Sequence, residues 1–375
     1  MSNESILQQR QDLIRRTIRM ETVERIPAIY MGVAFAPRYM GMSIAKFCAD
    51  PEASLQVTLE AMDRIGGLDG ANIAVGGRIT TILSVLWLSR LAVPGRELPD
   101  DTLWQVMEEE VLKVEEYDQI LKGGWKAFQR GYLPRVVDPQ ELAETMSWMM
   151  ANGSRVLQAY ADRGYVVISD AQGLSASPPF ESLCGGRSMQ RFFMDLVRMP
   201  DKVEAVMQVM MEETLADLER VPPRQGGIGG VWLGGWRGAS GLLSPKMWNR
   251  FVWPYIEKLA NVLIAKDYIP VLHWDQNWTR DLERLNDLPP GKCILNPDGM
   301  TSMRKFKEVA GNSMVMMGDV SSVLLSTGTP EDVTRYVREL VDLFEGKGLL
   351  MCAGCDAPIN ARPENIEAMY RALEH

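Results

Sequence analysis

The residues best suited to chemistry lie in Val271-Leu-His-Trp-Asp-Gln-Asn277 and in Cys352-Ala-Gly-Cys355. His273 is the sole histidine ahead of the terminal His375. It ends the apolar run Tyr-Ile-Pro-Val-Leu, which reads as a buried strand. Side chains alternate along a strand, so His273 and Asp275 share one face and Trp274 takes the other. A second apolar run, Gly348-Leu-Leu-Met351, delivers Cys352 and Cys355 in the same manner. Nitrogen, oxygen and sulfur at two strand ends are the ligand chemistry of a metal site. The competing reading of Cys352 and Cys355 is a redox dithiol, but such a pair opens a helix in a small domain. Here it closes the last strand of a long chain, with Pro358 soon after. Cys48, Cys184 and Cys293 read as structural, since free cysteine commonly serves as a small buried hydrophobe.

Eight short apolar runs are available to position these groups: residues 27–31, 70–75, 165–169, 229–233, 269–273, 292–296, 313–317 and 348–352. Helical periodicity fills most of the gaps, notably residues 200–220, 254–266, 301–310, 329–344 and 362–373. Another helix is predicted near the start, over residues 4–24. Short strands alternating with helices make a parallel sheet. Eight of them predict an α/β fold of the TIM-barrel type, a single domain whose active site lies at the C-terminal strand ends. The region 78–148 breaks the rhythm and reads as a mostly helical insertion after the second strand, a lid or a homodimer contact. The strand ends carry Arg38 and Tyr39, Asp170 and Gln172, Trp232 and Trp236, Asn296 and Asp298, and Asp319. Trp232, Trp236, Trp274 and Trp278 pack the rim or line a site for a flat ligand.

Composition narrows the functional classes. A net charge of −9 and the lack of a basic stripe argue against nucleic acid. The longest apolar run, residues 79–93, is interrupted by Arg90 and too short to span a membrane. Met-Ser-Asn-Glu-Ser-Ile lacks the basic-then-apolar order expected of a signal peptide, and an odd count of five cysteines fits a reducing cytoplasm. The 24 methionines suit irregular core gaps or an adaptable apolar pocket. Gly226-Gly-Ile-Gly-Gly230 is too irregular for a phosphate loop.

The order of several short motifs resembles the uroporphyrinogen decarboxylase superfamily, which includes cobalamin-dependent methyltransferases. The marks are Ala36-Pro-Arg-Tyr39, Pro179-Phe180 with Asp195 and Pro200-Asp-Lys-Val203, Leu243-Ser-Pro245 with Pro254-Tyr255, His273-Trp-Asp-Gln-Asn277, Gly318-Asp-Val320 with Gly328-Thr-Pro-Glu-Asp-Val333, and Gly354-Cys355 with Pro363-Glu-Asn365. The resemblance implies a TIM barrel. Decarboxylases of the family carry an arginine pair for propionates and an aspartate for the pyrroles. Here only Arg38 fits the second arginine, Phe35 or a neighbour replaces the first, and Val75-Gly-Gly-Arg78 lacks the aspartate. The methyltransferase branch binds zinc through His-x-Cys and a later Gly-Cys. His273 and Cys355 match that pattern, while Asp275 stands where the first cysteine would be.

The resemblance therefore implies a methyltransferase that moves a methyl group from a small methylated donor, a methoxylated aromatic first, to a corrinoid on a partner protein. The expected metal is zinc, held by His273, Asp275 and Cys355, with His273 and Asp275 also catalytic. Arg38, Tyr39, Asp170, Trp232, Trp236, Trp274, Trp278 and Asp319 are expected around the substrate. The alternatives are transfer from a methylcorrinoid to a thiol and a decarboxylase-like carboxy-lyase.

Overall fold

The computed structural model describes every residue except Met1, Gln172, Gly173, Ser175 and His375; Gln172, expected at a strand end, thus lies outside the described residues. Eight parallel strands form at the expected places: β1 (Ile29–Tyr30), β2 (Gly70–Ile73), β3 (Val166–Ser169), β4 (Gly230–Gly235), β5 (Ile269–Trp274), β6 (Ile294–Pro297), β7 (Val315–Val320) and β8 (Leu349–Ala353). They make one arc of three, β1-β2-β3, and one of five, β4-β5-β6-β7-β8. Two seams join the arcs. At the first, Ala28 bridges Met351 in parallel, and Met351 N–H donates to Pro27 O at 2.8 Å. At the second, Ala171 N–H donates to Gly230 O at 3.3 Å. Strands succeed one another around the ring in chain order, and the fold is a TIM barrel.

Alternation sorts the side chains into two layers. Ile29, Ile168, Val271, Ile294, Val315 and Leu350 point inward and fill the barrel. Ala71, Leu233, Leu272, Leu295, Met316 and Leu349 point outward, beneath the helices. The amino-terminal helix Asn3–Ile18 is capped by the Ser2 hydroxyl. Its Ile14 and Ile18 join the barrel-interior cluster, so this helix closes one end of the barrel. Removing one such side chain from a packed interior costs roughly 2–5 kcal/mol.

The segment between β2 and β3 holds helices Ile79–Trp87, Tyr117–Gly123, Trp125–Tyr132 and Pro139–Ala161. It also holds an antiparallel hairpin, Leu91–Ala92 with Gln105–Val106, too short to announce itself by periodicity. The expected limit at Trp148 falls inside the 23-residue helix Pro139–Ala161, whose Pro at N1 and Asp138 cap fix its start well before that point. Arg187 ties this segment to the barrel: its buried guanidinium bonds Glu110, Asp195 and the Leu112 carbonyl. Among the described residues, no helix is long and apolar enough to cross a membrane.

Candidate metal centre

β5 delivers His273 to the barrel interior near its C-terminal end, where the residue is 5 % exposed. Its register partner on β4 is Gly234. A Cβ there would lie 2.0 Å from the Trp232 ring, so only glycine lets that indole fold back along the strand. The Trp232 ring thereby rests beside the imidazole, with centroids 5.5 Å apart.

Asp275 follows two residues on, and its backbone N–H donates to Gly235 O at 3.1 Å. Its Oδ1 lies 3.5 Å from His273 Nε2 and is buried without a hydrogen-bond partner. Cys355 comes from the loop after β8. That loop passes against the backbone of Asp298, where a Cβ on Gly354 would lie 2.7 Å from the carbonyl carbon. Gly354 thus permits the approach that brings Cys355 Sγ to 3.6 Å from His273 Nε2. Ligand atoms of His273, Asp275 and Cys355 all lie within 4.8 Å of one another.

The electrostatics of this corner are set by enclosed carboxylates. Burial, then the charges of Asp275 and Asp356, pushes the Cys355 thiol well above its ordinary range. Asp356, with its carboxyl enclosed though part of the residue reaches solvent, is pushed up to about 6 by burial. It accepts the Val33 N–H at 2.7 Å and so fixes the loop after β1. Asp298 is raised by burial as well, against the pull of N–H donors from Gln276 and Met300. An imidazole nitrogen, a carboxylate oxygen lacking a donor and a thiol sulfur form a set suited to zinc.

Cys352 does not join them. It points into the barrel interior at 0 % exposure, and no disulfide links it to Cys355.

Six of the eight residues expected around a substrate are held elsewhere. Trp274 faces away from His273, as alternation requires, and stacks on Trp278 with centroids 4.2 Å apart. Both are core residues, 2 % and 1 % exposed. Arg38 is exposed and paired with Asp101 at 3.6 Å. Tyr39 stacks on Phe35, lies under Arg64 and meets Glu367. Asp170 accepts the N–H groups of Ile228 and Gly229, holding the second seam of the barrel. Asp319 turns to Tyr336 on the helix Pro330–Phe344, whose hydroxyl donates to it at 2.7 Å.

Trp232, within β4, and Trp236, just beyond it, remain half-exposed. The Arg237 guanidinium covers the Trp236 ring at 3.9 Å. Sequence reasoning passed over Arg237 and Glu181. Glu181 is buried and accepts the N–H groups of Arg237 and Gly238. The one sequence signal was a carboxylate in the otherwise uncharged stretch Phe180 to Cys184. Asn296 was noticed only as a strand-end residue, yet its Oδ1 lies 2.6 Å from His273 Nδ1.

Comparison with known proteins agrees with this architecture. No curated protein matches the sequence. The fold is similar to that of a methyltransferase from Methanosarcina mazei, with a TM-score of 0.68 and 15 % identity over 97 % of this chain and 98 % of that one. At that identity the likeness is one of fold. The model of the uroporphyrinogen decarboxylase family matches residues 180–375. That stretch is just over half of the chain and contains Glu181, His273, Asp275 and Cys355, so the chain belongs to the uroporphyrinogen decarboxylase family.

Proposed function

We propose that the protein is a corrinoid-dependent methyltransferase. It takes a methyl group from a small substrate, a methoxylated aromatic first, and passes it to a corrinoid carried by a partner protein. The observation that carries this reading is the convergence of His273 Nε2, Asp275 Oδ1 and Cys355 Sγ at the C-terminal strand ends. In a barrel, that end is where reactions take place.

Demethylating an aryl ether breaks a carbon–oxygen bond. The pair stays on oxygen, which then takes up a proton. The conjugate acid of a phenolate has a pKa near ~10, like tyrosine, so the oxygen leaves poorly without help. His273, Asp275 and Cys355 would hold zinc, which supplies Lewis acidity toward such an oxygen. The half-exposed Trp232 beside His273 offers a flat apolar wall for the ring. Partial burial keeps competing water from the reacting corner.

A carboxy-lyase reading fits less well. It needs cations for several carboxylates, yet Arg38 is at the surface and paired with Asp101. The test mixes the purified protein with a separately prepared corrinoid protein in the cobalt(I) state and a methoxyarene, followed spectrophotometrically. Conversion of the corrinoid to its methylated form is expected. Methylation of a thiol from methylcorrinoid, with no response to any methoxyarene, would reverse the direction. Release of carbon dioxide from a porphyrinogen, without methyl transfer, would overturn the reading.

A further inference from the structure

Inside the barrel, beneath the metal-ligand corner, polar side chains make one connected row. Ser169 on β3 donates to Asn72 Oδ1 at 3.2 Å. Asn72 on β2 donates from Nδ2 to Asn296 Oδ1 at 3.4 Å, which spans the barrel from one arc to the other. Asn296 on β6 meets His273 Nδ1 at 2.6 Å. Asn72 and Asn296 are both 0 % exposed, so water does not compete for these bonds.

The far end of the row fixes the direction of donation. Asn296 Nδ2 lies 2.6 Å from the Met317 carbonyl oxygen, and a carbonyl oxygen only accepts. The atom facing Met317 must therefore be the amide nitrogen. A flipped amide would set two oxygens against each other there and leave two nitrogen donors facing at Asn72. The atom facing His273 is then the amide oxygen, which also only accepts. Nδ1 must carry the proton. In the neutral ring, Nε2 then presents a lone pair toward Asp275 Oδ1 at 3.5 Å and Cys355 Sγ at 3.6 Å.

The geometry points to Asn296 as the positioning residue that sets the Nδ1–H tautomer of His273 and makes Nε2 its ligand atom. Met317 and Asn72 fix the orientation of the Asn296 amide. The tautomer is a property of the metal-free protein; only the use made of Nε2 rests on the proposed metal site. Outer partners of this kind orient the ligand ring, and their loss typically weakens metal binding about 10–100-fold.

The test uses full-length metal-free protein with ¹⁵N-labelled histidine at about pH 8, where an imidazole is mostly neutral. His375→Gln leaves one ring to observe. In that background, Nδ1 is expected to give the protonated and Nε2 the unprotonated nitrogen signature. Asn296→Leu should shift the ring toward the Nε2–H form. It should also weaken zinc binding about 10–100-fold in competition with a chromophoric chelator. Asn72→Ala should retain the tautomer, since Met317 still orients Asn296. An Nε2–H ring in the otherwise unchanged protein overturns the inference even if Asn296→Leu fails to fold. So does an Asn296→Leu protein with both tautomer and zinc affinity unchanged. An Nδ1–H ring in a protein that moves no methyl group refutes the reaction and leaves the role of Asn296 standing.

Discussion

Asp319 offers a quantitative check on the barrel. The residue is 1 % exposed, and the Tyr336 hydroxyl donates to its carboxylate at 2.7 Å. Burial, with a smaller push from the Asp298 charge, raises it from 3.8 to about 7 despite that hydrogen bond. A carboxyl raised on folding holds its proton in the native state at pH values where the unfolded chain has lost it. The native state then binds more protons, and stability falls as pH rises. The group costs nothing below about pH 4, costs progressively more up to about pH 7, and levels off above that. The move from 3.8 to about 7 sets a ceiling of about 4 kcal/mol, of which about 2–3 kcal/mol develops between pH 5 and pH 8.

Asp319→Asn keeps the shape and an oxygen for Tyr336 while removing the charge. Other enclosed carboxyls, such as Asp356 and Asp170, also tilt the stability of the whole protein with pH. The difference between variant and wild type cancels them. Urea denaturation of both proteins at pH 5, 6, 7 and 8 should show the variant gaining on the wild type by about 2 kcal/mol across the series. A difference constant to within ~0.5 kcal/mol would refute the argument that Asp319 is ionised at a cost in the fold.

Replacing His273 or Cys355 by Ala should reduce bound zinc to background, read by elemental analysis of the intact protein, and abolish methyl transfer. Asp275→Asn separates two roles: loss of zinc with activity marks a ligand, whereas retained zinc with activity lost chiefly for poor leaving groups marks a proton donor. Arg187→Met leaves the buried Asp195 carboxylate with the Tyr117 hydroxyl but no cation and should cost about 3–5 kcal/mol in denaturant titrations. Trp278→Ala should destabilise the protein by a similar ~3–5 kcal/mol without raising KM. Trp232→Ala should do the reverse; a raised KM in the Trp278 variant alone would put the substrate on the wrong side of β5.

All eight strands were legible because a buried parallel strand must be apolar along its length, and glycine, proline or polar residues mark its ends. The pairing of His273 with Asp275 on one face was legible for the same geometric reason. That rule also placed Trp274 on the opposite face, so an expectation that gathered all four tryptophans around one ligand conflicted with the alternation that located His273. Trp278 lies beyond the strand, where alternation no longer applies, and the stack on Trp274 was not readable. Arg38 matched a family motif, but its partner Asp101 comes from the irregular segment between β2 and β3. Asp170 and Asp319 sit at strand ends like catalytic groups, and composition cannot tell a carboxylate facing a ligand from one closing a barrel seam or meeting a helix tyrosine.

Donors and acceptors at the candidate metal site are unequally matched. Met317 offers only an acceptor, so the chain of bonds through Asn296 leaves His273 Nε2 with a lone pair. Asp275 Oδ1 faces that nitrogen and, although buried, has no donor. Cys355 contributes the sole S–H among the three. Acceptors facing one another in an enclosed corner repel, and a buried polar atom without a partner costs roughly 1–3 kcal/mol. A fold keeps such an arrangement where something positively charged relieves it. One cation would meet the Nε2 lone pair, the carboxylate oxygen and a deprotonated Cys355 sulfur together, whereas the Cys355 S–H alone can donate to only one of the two acceptors that face it. We propose on that ground that His273, Asp275 and Cys355 act as a ligand set, with the Asp275 carboxylate supplying oxygen where the resembled methyltransferase pattern has a cysteine sulfur.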